Sequence, residues 1–301
     1  MKLLVLNNLS SGYRDGAIYD FIRAFTQAED EVVLRTVDAS SSFAPKLADA
    51  ADFDAVVAAG GDGTVASVCY LLRDSGVPVL PYPAGTANLL AQNIVSPIEP
   101  FALAKLTREG KRLAFDLAEG ETAEGKFGFS MMAGCGYDAK IMQDAKTEKK
   151  RWGAAAYFRA AFANPNPTVA RISIDIDGTR YEHEGVGVLI LNFSKIQFDI
   201  SFATENQPND GLLDVLVLRT DTAWNLLPPV LGSAIDHSGK ALKDSDALVY
   251  YRGADISIIT DPVLPVQYDG EPIDANTPMH IRVLPSAIDL ILSDEGYELF
   301  S

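Results

Sequence analysis

The hydrophobic pattern changes character once along the chain. In the first third, short apolar runs alternate with segments whose apolar residues recur at helical spacing. "KLLVLNN" (2–8) reads as a strand, and "DGAIYDFIRAFTQ" (15–27) as an amphipathic helix with Ile18, Phe21, Ile22 and Phe25 on one stripe. "EVVLRTV" (31–37) is a second strand and "FAPKLADAA" (43–51) a short helix. "DAVVAAG" (54–60) is a third strand, followed by a helix that brings Val65, Val68, Cys69 and Leu72 together. "VPVLPYP" (77–83) is a fourth strand, and "GTANLLAQNI" (85–94) opens another helix. Several of these strands are apolar on both faces, which predicts an open, mostly parallel α/β sheet with helices on both faces.

Past residue 112 the pattern turns to β. "KRLAFDLAE", "KFGFSMM", "TVARISIDIDGTRYEHEG", "GVLILNF", "LLDVLVLR", "ALVYYRGADISIIT", "LPVQYDGEPI" and "MHIRVLP" are strand-like runs bounded by turn residues. In "RISIDID", Ile172, Ile174 and Ile176 share one face. Helical insertions are expected around 138–162 and 222–236. This series predicts a β-sandwich-like second domain. The division is 1–119 for the α/β domain, completed by 287–301, and 120–286 for the β-rich domain. The closing "AIDLILSDEGYELF" is expected to return and cover the first sheet.

Composition narrows the class. The chain has 301 residues, 48% of them hydrophobic, enough to bury a sizeable core. No apolar run approaches the roughly 20 residues that span a bilayer, and "MKLLVLNNLSSG" is too short for a signal-peptide core. Cys69 and Cys135 make neither a disulfide framework nor a metal-ligand spacing. These features predict a cytoplasmic protein with free thiols. A net charge of −16 speaks against nucleic acid as a partner and against bulk attraction to anionic lipid. One segment opposes that balance: "KIMQDAKTEKKRW" carries Lys146, Lys149, Lys150, Arg151 and Trp152. It reads either as a solvated helix end or as a patch facing a membrane or a phosphate. Neither a monomer nor a homodimer is selected by these features.

The candidate chemistry begins at "VVAAGGDGTVASV" (56–68). Gly60, Gly61 and Gly63 let backbone N–H groups approach a bound oxygen, the following helix offers unpaired donors to phosphate, and Thr64 can add a hydroxyl. The turn is neither a Walker A loop nor a G-x-G-x-x-G fingerprint, because Ala66 and Ser67 stand where the last glycine belongs. Asp62 repels a bare phosphate, so its presence points to a metal–nucleotide complex. Asp-Gly also occurs at Asp15, Asp177, Asp210 and Asp269, where a routine hairpin turn is the simpler reading, above all at Asp177. A second glycine turn, "PAGTANLLAQN" (83–93), opens a helix with Gly85, Thr86 and Asn88, which reads as a phosphate or sugar contact or as a capped helix start.

"GGDGT" followed by "PAGTAN" resembles the diacylglycerol kinase catalytic-domain family, which includes bacterial lipid kinases and sphingosine kinases and is related to the NAD kinases. "NNLSSG" (7–12), "AGCGYDAKI" (133–141), "NDGLLDVLVL" (209–218) and "YDGEP" (268–272) extend the likeness over nearly the whole chain. The resemblance implies an NAD kinase/diacylglycerol kinase-like fold, an ATP site in an interdomain cleft, and transfer of the γ-phosphoryl group to a lipid hydroxyl at the inner membrane face. It implies that Asn7, Thr36, Gly60, Gly61, Asp62, Gly63, Thr64, Gly85, Thr86 and Asn88 bind nucleotide. It gives Glu271 the role of general base, lets Asp62 and Asp269 hold the catalytic Mg²⁺, and assigns a structural magnesium to Asp210 with the carbonyls of Gln207 and Leu212.

The chain departs from the family at Ala66-Ser67, where Asn-Glu is usual, at "NFSKIQFDISFA" (192–203), which replaces a Gly-rich turn, and in lacking proline in "NNLSSG". Two other functions fit parts of the pattern. An NAD kinase shares "GGDGT" but acts on a soluble dinucleotide, and a nucleotide-binding regulator needs no base.

Overall fold

The computed structural model describes residues 1–11, 16–38, 41–137, 167–193, 207–220 and 247–301. The chain divides into two compact units, Met1–Leu117 with Pro285–Ser301, and Ala118–Leu284. The first is an α/β domain with a parallel sheet and the second is β-sandwich-like. The expected helical insertions at 138–162 and 222–236 and the basic segment Lys146, Lys149, Lys150, Arg151 and Trp152 lie outside the described residues, as does Asp15.

In the first unit, β1 (Lys2–Asn8), β2 (Glu31–Val37), β3 (Ala55–Gly60) and β4 (Val79–Pro83) lie in the order β2-β1-β3-β4, all parallel. Every residue of β3 is buried, as expected for a strand covered on both faces. The helices are α1 (Ala17–Phe25), α2 (Asp62–Leu71), α3 (Leu89–Asn93) and α4 (Pro100–Glu109). Phe21 and Phe25 of α1 pack with Leu3, Val5, Val57 and Leu80 in one core.

Three expectations need correction here. Residues 43–51 do not form a helix but two 3₁₀ turns, Ala44–Lys46 and Ala50–Asp52. Pro45 removes a donor, and the Asp49 carboxylate between them is held by Arg35 of β2 through two hydrogen bonds. The helix expected from residue 85 starts only at Leu89, because Asn88 sits in the left-handed region (φ 50°) and its side chain folds back on Gly85. Helix α4 was not anticipated; its start is set by Pro100 at the first helical position.

The β-rich pattern resolves into β5 (Lys111–Thr122), β6 (Gly125–Phe129), β7 (Met132–Gly136), β8 (Ala170–Ile176), β9 (Thr179–Gly185), β10 (Gly187–Leu191), β11 (Leu213–Leu218), β12 (Leu248–Gly253), β13 (Asp255–Asp261), β14 (Pro265–Tyr268), β15 (Glu271–Asn276) and β16 (Met279–Leu292). In the second unit one layer runs β12-β11-β10-β7-β14-β15, and the other pairs β16, β13, β8 and β9. Ile172, Ile174 and Ile176 are buried as their alternation predicts, in one core with Val188, Ile190, Val215 and Val217 of the facing layer. β5 and β16 each run from one unit into the other. The end of β16 adds a strand to the first sheet, where Leu290 pairs in parallel with Val79 of β4, and α5 (Asp294–Phe300) follows. The C-terminal segment thus adds a strand to the first sheet and a helix after it.

Ile174 is fully buried between the two layers. Replacing it with alanine should lower stability by about 2–5 kcal/mol, read from the denaturant midpoint, because the packed layers fill such a void incompletely.

Candidate functional site

The parallel register lines up the carboxyl ends of four strands. Asn7 of β1 lies opposite Thr36 of β2 and Ala59 of β3, and Ala59 lies opposite Tyr82 of β4. Ligands of open α/β sheets bind outside such ends. Thr36 is exposed and Asn7 half-buried.

The glycine turn follows directly. Gly61 is the N-cap of α2 in an extended conformation, with no side chain capping it. The amides of Thr64 and Val65 both bond the Gly61 carbonyl, so those of Asp62 and Gly63 come before any intrahelical acceptor. The three glycines differ in what they permit. A Cβ on Gly60 would sit 2.4 Å from Cβ of Thr64, whereas one on Gly63 would meet nothing within 4 Å. The first glycine is demanded by packing; the third faces open space.

Asp62, at the first position of α2, reaches across to the second turn. Its Oδ1 accepts the Leu90 amide of α3 at 3.2 Å. A carboxylate at that place interacts favourably with the N-terminal ends of both helices. The two turns also touch through their backbones: Ala84 N–H donates to the Gly60 carbonyl, and a Cβ on Gly85 would lie 2.4 Å from Cα of Gly61. Gly85 and Asn88 exchange two hydrogen bonds, 2.7 and 3.0 Å, and Thr86 is exposed at the tip. Gly61, Asp62, Val65, Tyr82, Asn88 and Leu90 help to line a small cavity of about 10 Å³. That is room for about one water and not for a phosphate; Gly63 and Thr86 are exposed.

Thr64 is buried, and its hydroxyl accepts a bond from Asn8 Nδ2 at 2.8 Å in place of facing the turn. Asn8 Oδ1 takes the Ser10 amide, and Ser11 Oγ takes the Gly61 amide at 3.2 Å. Sequence reasoning singled out Asn7 in this segment; Asn8 and Ser11 are the residues whose side chains lace it to the glycine turn. Ala66 packs in the core, and the Ser67 hydroxyl donates to the Gly63 carbonyl at 2.8 Å, so the positions of the usual Asn-Glu pair serve the helix itself.

The second unit carries the Asp-Gly-Glu turn between β14 and β15. Asp269 (φ 44°) and Gly270 (φ 78°) both adopt the left-handed conformation that a two-residue hairpin turn requires. Asp269 Oδ2 accepts the Ser130 amide at 2.9 Å, and Oδ1 accepts those of Met131 and Met132 at 2.8 and 3.0 Å. The fully buried Gln267 takes the Gly270 amide, and the buried Asn192 donates to the Ser130 carbonyl. Ser130, Asn192 and Gln267 escaped sequence reasoning, since each acts through a chain-distant backbone partner or an unremarkable turn. Glu271 is exposed and lies opposite Tyr268, whose ring stacks on Phe127 at 4.7 Å. Burial raises the Tyr268 phenol pKa, and the Asp269 and Glu271 carboxylates add to it, so this ring stays neutral beside Glu271.

Asp210, Gln207 and Leu212 come together in one turn, but Asp210 is paired with Arg252. Among the described residues, no group of three His, Cys, Asp or Glu side chains is placed to hold a metal. No described helix is long and apolar enough to cross a membrane.

Comparison with known proteins adds to this geometry. Residues 2–119 match the diacylglycerol kinase catalytic domain, and residues 131–292 match the YegS C-terminal NAD kinase beta sandwich-like domain. A protein of Pectobacterium atrosepticum named "Probable lipid kinase YegS-like" is 30% identical over 241 residues, covering 78% of this chain and 77% of that protein. An uncharacterized Synechocystis protein is 26% identical over 250 residues, 80% of this chain, and the chain spans 55% of its length. The crystal structure of a diacylglycerol kinase from Bacillus anthracis is similar with a TM-score of 0.69 at 19% identity, covering 97% of each chain, a likeness of fold.

The close contact of the turns makes Gly85 intolerant of a side chain. Gly85→Ala should cost about 1–3 kcal/mol through overpacking, seen as a lowered unfolding midpoint.

Proposed function

Because the chain belongs to the diacylglycerol kinase catalytic-domain family, we propose that it is a kinase that transfers the γ-phosphoryl group of ATP to a hydroxyl of a lipid. The observation that carries the nucleotide half is Gly63. Its neighbours leave the space beyond it empty, it lies at the donor end of α2, and nothing in the packing of the unit requires it to be glycine. A phosphate approaching those amides does require it.

Phosphoryl transfer depends on positioning and charge neutralisation more than on covalent help. Bound Mg²⁺ supplies the neutralising charge on the phosphates and usually keeps several waters, needing only one or two carboxylates. Asp62 suits that role: it is half-buried beside the turn, with Leu90 N–H on one oxygen. Asp269 suits it less, since three backbone amides already share its two oxygens. We assign Asp269 to holding the turn rigid and Glu271, exposed at the start of β15, to accepting the lipid hydroxyl proton. The exposure of Glu271 is what a base meeting an external substrate needs. Gly60, Gly61 and Gly85 shape the nucleotide turn, Thr36, Asn7, Thr86 and Asn88 stand at its edge, and Lys146, Lys149, Lys150, Arg151 and Trp152 remain the candidate contact with the membrane surface.

Incubation with γ-labelled ATP, Mg²⁺ and a panel of diacylglycerol, sphingoid and polyprenol lipids, beside NAD, tests the reading. Label should enter a lipid and not NAD, and Glu271→Gln should lower kcat by about 10²–10⁴-fold. Transfer to NAD alone, or an undiminished Glu271→Gln, would refute the assignment. Gly63→Ala should raise the stability by up to about 1 kcal/mol through helix propensity yet weaken ATP binding by about 10–100-fold, the loss of one hydrogen bond to a charged oxygen. Unchanged ATP affinity in that variant would remove the phosphate from this turn.

A further inference from the structure

The turn that carries Asp210 closes on itself and then on an arginine. The Asp210 amide donates to the Gln207 carbonyl at 3.3 Å, and Asp210 Oδ1 accepts the Leu212 amide at 3.0 Å. Gly211 takes the left-handed conformation between them (φ 76°). The remaining oxygen, Oδ2, accepts Nη2 of Arg252 at 2.5 Å. Through Nε the same guanidinium donates to Asp214 Oδ1 at 2.9 Å, and Tyr250 donates its hydroxyl to that oxygen. Asp214 is 1% exposed, and it faces Arg252 directly in the β11–β12 register.

This arrangement does not fit the structural magnesium that the resemblance gives to Asp210, Gln207 and Leu212. Mg²⁺ demands near-octahedral oxygen ligands at about 2.0–2.1 Å. Here both Asp210 oxygens and the Gln207 carbonyl are already accepting hydrogen bonds, and a guanidinium stands against the carboxylate that the ion would claim. A divalent cation added there would be repelled by Arg252 and would have to displace it. We infer that Arg252 is itself the cation of this turn, so that the second unit keeps the 207–214 segment in place without divalent metal.

The chemistry of the side chain suits the task. A guanidinium is planar, offers donors on two edges and carries its charge at every pH a protein survives. Nη2 serves Asp210 and Nε serves Asp214, which ties the turn to β11 and β12 together. Burial opposes the charge on Arg252, yet its bond to Asp210 and the field of Asp214 hold its pKa above the ordinary arginine value. A buried Asp214 left without this partner would be an uncompensated charge. The inference concerns the second unit alone and stands whichever substrate the enzyme uses.

The test is thermal unfolding of the full chain, without nucleotide, in EDTA and in excess Mg²⁺. The wild-type Tm should be the same in both, while Arg252→Met should have a lower Tm in EDTA and regain part of the loss when Mg²⁺ is added. Arg252→Lys, which keeps the charge but not the fork, should fall between them and keeps the comparison usable if the methionine variant does not fold. A wild-type Tm that drops in EDTA and recovers with Mg²⁺ would overturn the inference. So would variants as stable in EDTA as the wild type.

Discussion

The glycine turn of the first unit rests on two backbones packed with no side chain between them. Gly61 and Gly85 approach so closely that a Cβ on Gly85 would fall 2.4 Å from the Gly61 Cα. The parallel register sets this up by placing Gly60 beside Pro83, and the Ala84 amide fixes it with a bond to the Gly60 carbonyl. Only at that separation do the starts of α2 and α3 lie near enough for Asp62 to cap a helix other than its own. The aspartate at the end of a buried strand thus has a structural reason independent of any metal. It joins the two turns, and its position beside the open amides leaves it able to face a phosphate-borne cation as well.

The same dipeptide appears twice as a hairpin turn in the second unit, and the pair shows how one local device acquires different uses. Asp177 and Asp269 both take the left-handed conformation, each followed by a left-handed glycine. Both carboxylates clamp backbone amides of a neighbouring segment: Asp177 those of Ala254 and Asp255, Asp269 those of Ser130, Met131 and Met132. What differs is the next residue, Thr179 in one and Glu271 in the other. A turn clamped by charge-assisted bonds is a rigid base for the side chain that follows it. The proposed division, chemistry to Glu271 and rigidity to Asp269, rests on this difference, although the sequence motif presents them side by side as equals.

Much of this was legible from local patterns. Strand and helix alternation gave the α/β unit, Ile172, Ile174 and Ile176 declared their shared face, and the glycine turns marked strand ends. Legibility failed where the decisive partner is remote in sequence. Asn8 meets Thr64 and Ser11 meets Gly61 across 56 and 50 residues, Ser130 meets Asp269 across almost half the chain, and Arg252 reaches back to Asp210. Periodicity cannot report such pairs, because none of these residues disturbs the pattern of its own element. The failure at residues 43–51 is of another kind. There apolar spacing suggested a helix, and Pro45 together with the Arg35–Asp49 bond outweighed it.

The three glycines of the first turn are not equivalent in the fold. Gly60 is fixed by Thr64, which its own helix presses against it, and Gly85 of the second turn by the backbone of Gly61. Those two requirements would hold in a protein that bound nothing. Gly63 has neither constraint: its conformation is helical, no atom stands where its Cβ would be, and alanine there would favour the helix by up to about 1 kcal/mol. Where the isolated fold prefers alanine and the chain nonetheless carries glycine, a demand from outside the fold would account for it. Under the proposed function that demand is an anion lying against the first amides of α2, since a Cβ there would hold its oxygens away from the donors.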